Sequence, residues 1–184
     1  MHRTVTPAML ETWQSLANRV AAAAQVPAAL VMRVWPEQIE VLISSLGHDN
    51  PYEEHEKADL GTGLYCETVM YTRQPLLVPD ALSDPDWATN PDVKLNMISY
   101  LGVPLVWPDD SIFGTVCVLD RKPRHFDAAT LKLLQALKIL IEEDFEALDA
   151  GRSEPQPGRQ GPHWDFFERC IAELQLGGPG PTTH

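Results

Sequence analysis

Three cysteines are the residues of this sequence best suited to nucleophilic or redox chemistry. Cys66 falls in the first turn of a predicted short helix, where the positive end of the helix dipole favours a thiolate. Cys117 falls within an apolar strand pattern, where a cysteine is typically a small buried hydrophobe. Cys170 belongs to the C-terminal segment. Their odd number, their wide spacing and the lack of a Cys-x-x-Cys pair favour reduced thiols over disulfides or a zinc site.

A second set of candidate groups lies between residues 48 and 59, where two histidines alternate with acidic side chains. Such groups could bind a metal ion, but their spacing matches no compact ligand motif, so a solvated loop is favoured. His125 precedes the last long helix and is interpreted as a loop residue. No Ser-His-Asp or Cys-His arrangement follows from the sequence order. The sequence therefore predicts neither catalytic residues nor a metal site.

The elements that would position the cysteines follow from hydrophobic periodicity. Spacing of 3.6 residues predicts helices at 7–25, at 64–72, in a short stretch ending at 96, and at 127–148. Apolar runs and alternation predict strands at 28–34, 39–44, 75–78, 99–107 and 112–119. Pro104 predicts a bulge or a sheet edge in the fourth strand. The order predicts an α+β fold with one mainly antiparallel sheet, with long terminal helices on one face and short helices and loops forming a pocket on the other.

Composition limits the functions that this chain can serve. Its 184 residues carry a formal net charge of −12, which disfavours nucleic acid and anionic membrane. No apolar run is long enough to span a bilayer and the N-terminus does not resemble a signal peptide, so no membrane insertion and a cytoplasmic location are expected. We predict a sensory domain at 1–150, a flexible linker at 151–163, a short amphipathic helix at 164–176 and a disordered tail at 177–184.

Four segments of the predicted domain together resemble a GAF domain, a member of the PAS-like folds. The segments are Gly61-Thr62-Gly63, LVPDA at 77–81, ISYLGVPL at 98–105 and FGTVCVLD at 113–120. The resemblance covers residues 10–148 and is closest to the modules of bacterial sensor histidine kinases and cyclic-dinucleotide enzymes. It implies a non-catalytic role in signal transduction and an unidentified small-molecule ligand. Histidine kinases or cyclic-dinucleotide enzymes are the signalling partners that it implies.

Several subtypes of this family fit the sequence poorly. Bilin-binding members attach the pigment through a Cys usually followed by His, and residues 91–99 contain neither. The cyclic-nucleotide signature Asn-Lys…Phe…Asp-Glu is not found. The free methionine sulfoxide reductase type uses cysteines near the Gly-x-Gly helix and in the following crossing segment. Cys66 is close to the first position but one residue out of register, and residues 80–99 contain no cysteine. The cofactor therefore stays unknown.

Candidate ligand contacts are the aromatic and polar residues that the predicted fold places near the pocket. Aromatic side chains with a polar group suit small-molecule recognition, although they could equally fill a collapsed pocket. The candidates are Tyr65, Cys66, Glu67, Asp80, Trp87, Asn96, Tyr100 and Cys117.

Three hypotheses about function remain open. The first is a ligand-binding sensory domain that forms a homodimer through the first and last long helices of the domain. The second is a thiol-dependent reductase like the free methionine sulfoxide enzymes, with Cys66 as the essential residue. The third is a ligand-free dimerisation or docking module in which residues 164–176 form a recognition helix.

Overall fold

The structure is a computed structural model that describes residues 3–152 and 159–177 of the chain. The helices are α1 (Pro7–Ala24), α2 (Tyr65–Thr72), α3 (Ala128–Asp149) and α4 (Pro162–Leu176), with 3₁₀ helices at Ala81–Ser83 and Pro91–Leu95. The strands are β1 (Ala28–Val34), β2 (Gln38–Ser44), β3 (Lys57–Asp59), β4 (Leu76–Val78), β5 (Ser99–Val106) and β6 (Ile112–Asp120).

Local sequence explains where the long helices begin. The side chain of Thr6 accepts a hydrogen bond from the backbone N–H of Met9 and Pro7 is the first helical residue, so α1 starts as predicted. Asp127 caps α3 in the same way through the backbone N–H of Thr130. Gln25 ends α1 in a left-handed conformation, with φ of 54°.

All strand pairs are antiparallel, and the sheet order is β3-β2-β1-β6-β5-β4. The predicted α+β fold with a mainly antiparallel sheet is therefore confirmed. Pro104 lies beyond the three residues of β5 that pair with β4, so its missing N–H falls where β5 is an open edge. A register shift follows directly between Leu105 and Val106.

The two faces of the sheet are covered differently. On one side, which we call the helical face, α1 and α3 pack against inward side chains of β1, β2, β5 and β6, and α4 packs on α1 and α3. On the other side, which we call the cavity face, α2, the 3₁₀ helices and the segment before β3 cover the sheet. β1 and β6 lie centrally and are covered on both sides, which explains why their sequences are almost continuously apolar.

Two elements differ from the sequence prediction. β3 was expected to be part of a polar loop; it is a three-residue edge strand paired with β2, too short and too polar to give a strand pattern. The apolar surface of α3 is larger than a sheet face needs, which indicates a partner helix. In the structure α4 packs against both α3 and α1 and supplies much of that cover.

The helix α4 is held by an apolar face and by ion pairs at its edges. Phe167, Cys170 and Ile171 are buried in the core of the helical face. Arg19 of α1 forms a two-bond ion pair with Glu168, with both N–O distances 2.7 Å. The apolar face that a recognition helix would offer to another protein thus contacts the chain's own domain.

The predicted linker and tail lie only partly within the described residues. Residues 153–158 of the linker and 178–184 of the tail are outside them. Arg159 is described, and it forms an ion pair with the buried carboxylate of Asp144. Pro162 and His163, which we assigned to the linker, belong to α4. Within the described parts of the chain, no helix combines the length and apolar character needed to cross a membrane.

Candidate functional site

A partly enclosed cavity of about 250 Å³ lies on the cavity face, between the sheet and the short helices. Apolar side chains of β1, β2 and β6 form most of its floor, and the 3₁₀ helix Pro91–Leu95 closes one side. Its open side carries the exposed residues Glu56, Lys57 and Lys94. The complete lining is Leu30, Met32, Ile39, Val41, Tyr52, Glu56, Lys57, Ala58, Leu64, Cys66, Pro91, Asp92, Lys94, Leu95, Tyr100, Cys117 and Leu119.

Tyr100 shapes the inner wall because its ring lies over the neighbouring glycine of its own strand. A Cβ atom on Gly102 would lie 2.0 Å from the Tyr100 hydroxyl oxygen, so only glycine leaves room for the ring. Tyr65 stacks on the other side of Tyr100, with ring centroids 4.7 Å apart, and its hydroxyl donates to the carbonyl of Met97. The Tyr100 hydroxyl is thereby fixed in the cavity wall.

The sulfur of Cys66 is surrounded by hydrogen-bond donors. The hydroxyl of Thr115 donates to it at 3.2 Å, and the hydroxyl of Tyr100 lies 3.5 Å away. The neighbouring Cys117 thiol and the hydroxyls of Thr115 and Tyr100 lower the pKa of the Cys66 thiol, against the opposing effect of burial. Burial raises the pKa of Cys117, so that this second thiol keeps its proton.

An acidic group and a phenol form the polar part of the opposite wall. The Tyr52 hydroxyl donates to Asp92 Oδ1 at 2.7 Å. Burial raises the pKa of the Asp92 carboxyl to about 6, while hydrogen bonds from Tyr52 and from the backbone of Tyr65 act in the opposite direction. Asp92 is held by the 3₁₀ helix Pro91–Leu95, and the side chain of its N-cap residue Asn90 accepts a hydrogen bond from the Asp92 N–H. At neutral pH this wall carries one negative charge next to an otherwise apolar space.

Three of the eight candidate ligand contacts line the cavity: Cys66, Tyr100 and Cys117. Tyr65 and Trp87 lie behind this wall, with ring centroids 5.3 Å apart. The other three residues have local structural contacts instead. The Glu67 carboxylate accepts backbone N–H groups from residues 61–64, and Asp80 accepts from Leu82 and Ser83. Asn96 is exposed and ends a 3₁₀ helix with φ of 61°.

Sequence reasoning missed Tyr52 and Asp92, the most polar pair of the wall. Tyr52 lies 40 positions before Asp92 in a segment that we interpreted as a solvated loop. A tyrosine among charged residues was the available signal, because a large amphipathic side chain in such a segment often anchors it to the core. The pairing with Asp92 depends on tertiary structure and leaves no local pattern.

The histidine- and acid-rich segment does not form a ligand cluster. His55 Nδ1 lies 2.9 Å from Glu40 Oε1, and the Trp35 indole N–H donates to the other oxygen of Glu40. Among the residues that the structure describes, no three His, Cys, Asp or Glu side chains gather closely enough to hold a metal ion. These groups therefore fix the start of β3 beside β2.

An antiparallel six-stranded sheet with helices on one face and a cavity on the other is the α+β architecture of PAS-like domains. The chain belongs to the GAF domain family, which matches residues 8–143. No curated protein sequence matches the chain. Membership supports a sensory or regulatory domain in general, since GAF domains are generally non-catalytic modules.

Solved structures agree on the fold at low sequence identity. The GAF domain of an Acinetobacter phosphoenolpyruvate-protein phosphotransferase is 18% identical, with a TM-score of 0.62, covering 79% of this chain and 87% of that one. The blue-light absorbing form of the Thermosynechococcus elongatus PixJ GAF domain is 15% identical, with a TM-score of 0.59, covering 96% and 100%. A far-red cyanobacteriochrome photoreceptor is 15% identical, with a TM-score of 0.59, covering 75% and 86%.

Proposed function

We propose that this chain is a non-catalytic sensory domain that binds a small, mostly apolar molecule in the cavity of the sheet and relays its presence in bacterial signal transduction. The observation that carries the proposal is the cavity itself, about 250 Å³ of mostly apolar space at the cavity face. Its apolar lining with a few convergent polar groups supports a small-molecule site, and its volume, just below the usual range of ligand pockets, favours a compact ligand.

The polar groups of the wall define the chemistry of the ligand. The Asp92 carboxylate and the hydroxyls of Tyr52 and Tyr100 point to a compact apolar ligand that carries a hydrogen-bond donor or a positive charge facing Asp92. A ligand without a hydrogen-bond donor would displace water from the half-buried Asp92 carboxylate and offer no hydrogen bond in its place, which is unfavourable. The exposed lysines at the open side admit an acidic substituent that stays near solvent.

The signal that a ligand is bound would pass from the cavity through the central strands β1 and β6 to the helices α1 and α3. β1 and β6 contribute side chains to both faces, so a shift of the cavity floor changes the packing under α1 and α3. A homodimer through α1 and α3 is part of the proposal, and it would use the surface that α4 leaves uncovered. A ligand changes this arrangement only as far as it binds the two states with different affinity.

The test is to purify the full chain from its own host and to identify retained small molecules by native mass spectrometry followed by denaturation. Ala58→Phe adds a ring to the lining, whereas Ala22→Phe adds the same ring at an exposed position of α1. We expect a stoichiometric compound in the wild type and in the α1 variant but not in the cavity variant. Equal retention in all three proteins, or none with any compound supplied, would contradict the proposal.

A further inference from the structure

Two cysteines from elements that are distant in sequence face the same cavity. Cys66 lies in the first turn of α2 and Cys117 lies in the middle of β6. Both line the cavity, and their exposed fractions are 8% and 1%. A small oxidant that enters the cavity can therefore reach them.

The surroundings of the two sulfur atoms are unequal. Cys66 accepts a hydrogen bond from Thr115 at 3.2 Å and lies 3.5 Å from the hydroxyl of Tyr100, which the ring packing over Gly102 holds in place. It also occupies the N-terminal end of a helix, where negative charge is favoured. Cys117 lies two residues along β6 from Thr115 and opposite Gly102, over which the Tyr100 ring packs, so its side chain belongs to the same part of the wall as the Cys66 sulfur. Its influence and the two hydroxyls lower the pKa of the Cys66 thiol, while burial raises the pKa of Cys117. Cys66 is thus the thiol suited to react first with an oxidant, and Cys117 is the thiol suited to react with the oxidised Cys66.

We propose that Cys66 and Cys117 form a peroxide-sensitive dithiol, in which Cys66 is oxidised first and Cys117 then closes a disulfide between α2 and β6. In the first step the Cys66 thiolate attacks one oxygen of hydrogen peroxide. An S–O bond forms, the O–O bond breaks, and the departing hydroxide takes up a proton as water.

In the second step the Cys117 sulfur attacks the Cys66 sulfenic acid. The S–S bond forms, the S–O bond breaks, and the leaving hydroxide combines with the proton of Cys117 as water. Two thiols and one peroxide thus give one disulfide and two waters. The new bond would join the helix to the floor of the cavity and remove the acceptor of Thr115. The inference goes beyond ligand binding, because no bound ligand takes part in it.

The experiment treats the reduced full-length chain with hydrogen peroxide under native conditions, then maps disulfides by alkylation and peptide mass spectrometry. We expect a Cys66–Cys117 disulfide, seen as the loss of two hydrogen atoms. Cys170 is the internal control, because it is buried on the helical face, away from this cavity. Cys170→Ser should react like the wild type. A disulfide involving Cys170, or both cavity thiols still reduced after long exposure to excess peroxide, would overturn the proposal.

Two further variants separate the roles of the sulfur atoms. Cys117→Ser should stop at a sulfenic acid on Cys66, which dimedone traps, whereas Cys66→Ser should leave Cys117 reduced. The opposite order of trapping would overturn the assignment. Thr115→Val keeps the shape of a fully buried side chain but removes one donor to Cys66, so oxidation should slow by roughly tenfold. Circular dichroism of each variant verifies the fold, and an unchanged oxidation rate in Thr115→Val would count against activation of Cys66.

Discussion

The helical face and the cavity face share the central strands but differ in how their side chains are packed. On the helical face Trp13, Trp107, Phe113 and Phe145 form a continuous aromatic cluster, with ring centroids 4.3 to 6.1 Å apart. On the cavity face short helices, short strands and loops leave a space of about 250 Å³. The helical face thus supplies the stability of the domain, so that the cavity face can stay open without unfolding it.

Two aspartates show the same contrast in electrostatic terms. Asp144 on the helical face is 4% exposed, accepts from the Trp13 indole N–H at 2.7 Å and pairs with Arg159. Asp92 on the cavity face accepts a side-chain hydrogen bond from a phenol and has no cation among its hydrogen-bond partners in the described residues. Burial raises the pKa of both carboxyl groups. Only for Asp144 does an arginine act against that effect, so its charge is paired within the fold, whereas the charge of Asp92 faces the cavity.

The largest effect should come from breaking the buried pair on the helical face. Asp144→Ala leaves the Arg159 charge without its carboxylate partner and the Trp13 N–H without its acceptor, so we expect a loss of about 3–5 kcal/mol in the free energy of unfolding. Glu146→Ala, at an exposed position of the same helix, should cost about 0.5 kcal/mol or less. Urea unfolding measures both, and equal costs would show that α4 and α1 do not depend on this carboxylate.

Matched leucines test the difference in packing between the faces. Leu105 of β5 is 0% exposed on the helical face, and Leu119 of β6 is 2% exposed in the cavity wall. Leu105→Ala should cost about 4 kcal/mol and Leu119→Ala about 2.5 kcal/mol, because a side chain beside an existing void has fewer neighbours to lose. Chemical denaturation measures the free energy of unfolding of both variants. A larger loss of stability for Leu119→Ala would reverse the interpretation of the two faces.

The same contrast explains what sequence could predict. α1, α3 and the central strands have strong periodicity and clear caps at Thr6 and Asp127, so their positions were predicted within a few residues. β3 was missed because three exposed or half-exposed residues carry no pattern, and its pairing with β2 depends on tertiary contacts. The elements with strong sequence patterns are therefore the long helices and central strands, which form the layer that supplies stability.

The cavity was harder to predict because its wall gathers residues from many elements. Cys66, Tyr100 and Cys117 were selected through their positions in the expected fold, and all three line the cavity. Glu67 and Asp80 were selected in the same way, but their carboxylates turn towards their own loops, where backbone N–H groups are available. Backbone geometry decides whether a polar side chain faces the cavity or its own loop, and sequence spacing alone does not fix that geometry.

Titration of Asp92 should make stability depend on pH at the cavity face. Its folded pKa of about 6 lies above the unfolded value of 3.8, so the folded state holds the proton more tightly. Stability therefore falls as pH rises from about 4 to about 6 and is level above that range. Asp92→Asn cannot titrate but can still accept from Tyr52, so its unfolding free energy should rise relative to the wild type by about 2 kcal/mol between pH 4 and pH 7.

Urea unfolding of the Asp92→Asn and wild-type proteins at both pH values supplies the measurement. The other carboxylates are common to both proteins and cancel in the difference. A difference that does not change with pH would mean that water reaches Asp92 and keeps its pKa near the unfolded value.

The smallest effect should come from the ion pair at the edge of α4. Arg19 and Glu168 have side chains that are 35% and 41% exposed, and pairs at such positions contribute little. Glu168→Gln should cost about 0.5 kcal/mol and remove part of the salt dependence of unfolding, while Arg19 stays above the ring of Phe167. Hydrogen exchange of α4 reports the local change, and peroxide oxidation of Cys66 should proceed as in the wild type. A loss above about 2 kcal/mol would instead mean that charge, not the buried side chains of Phe167 and Ile171, holds α4 on the helical face.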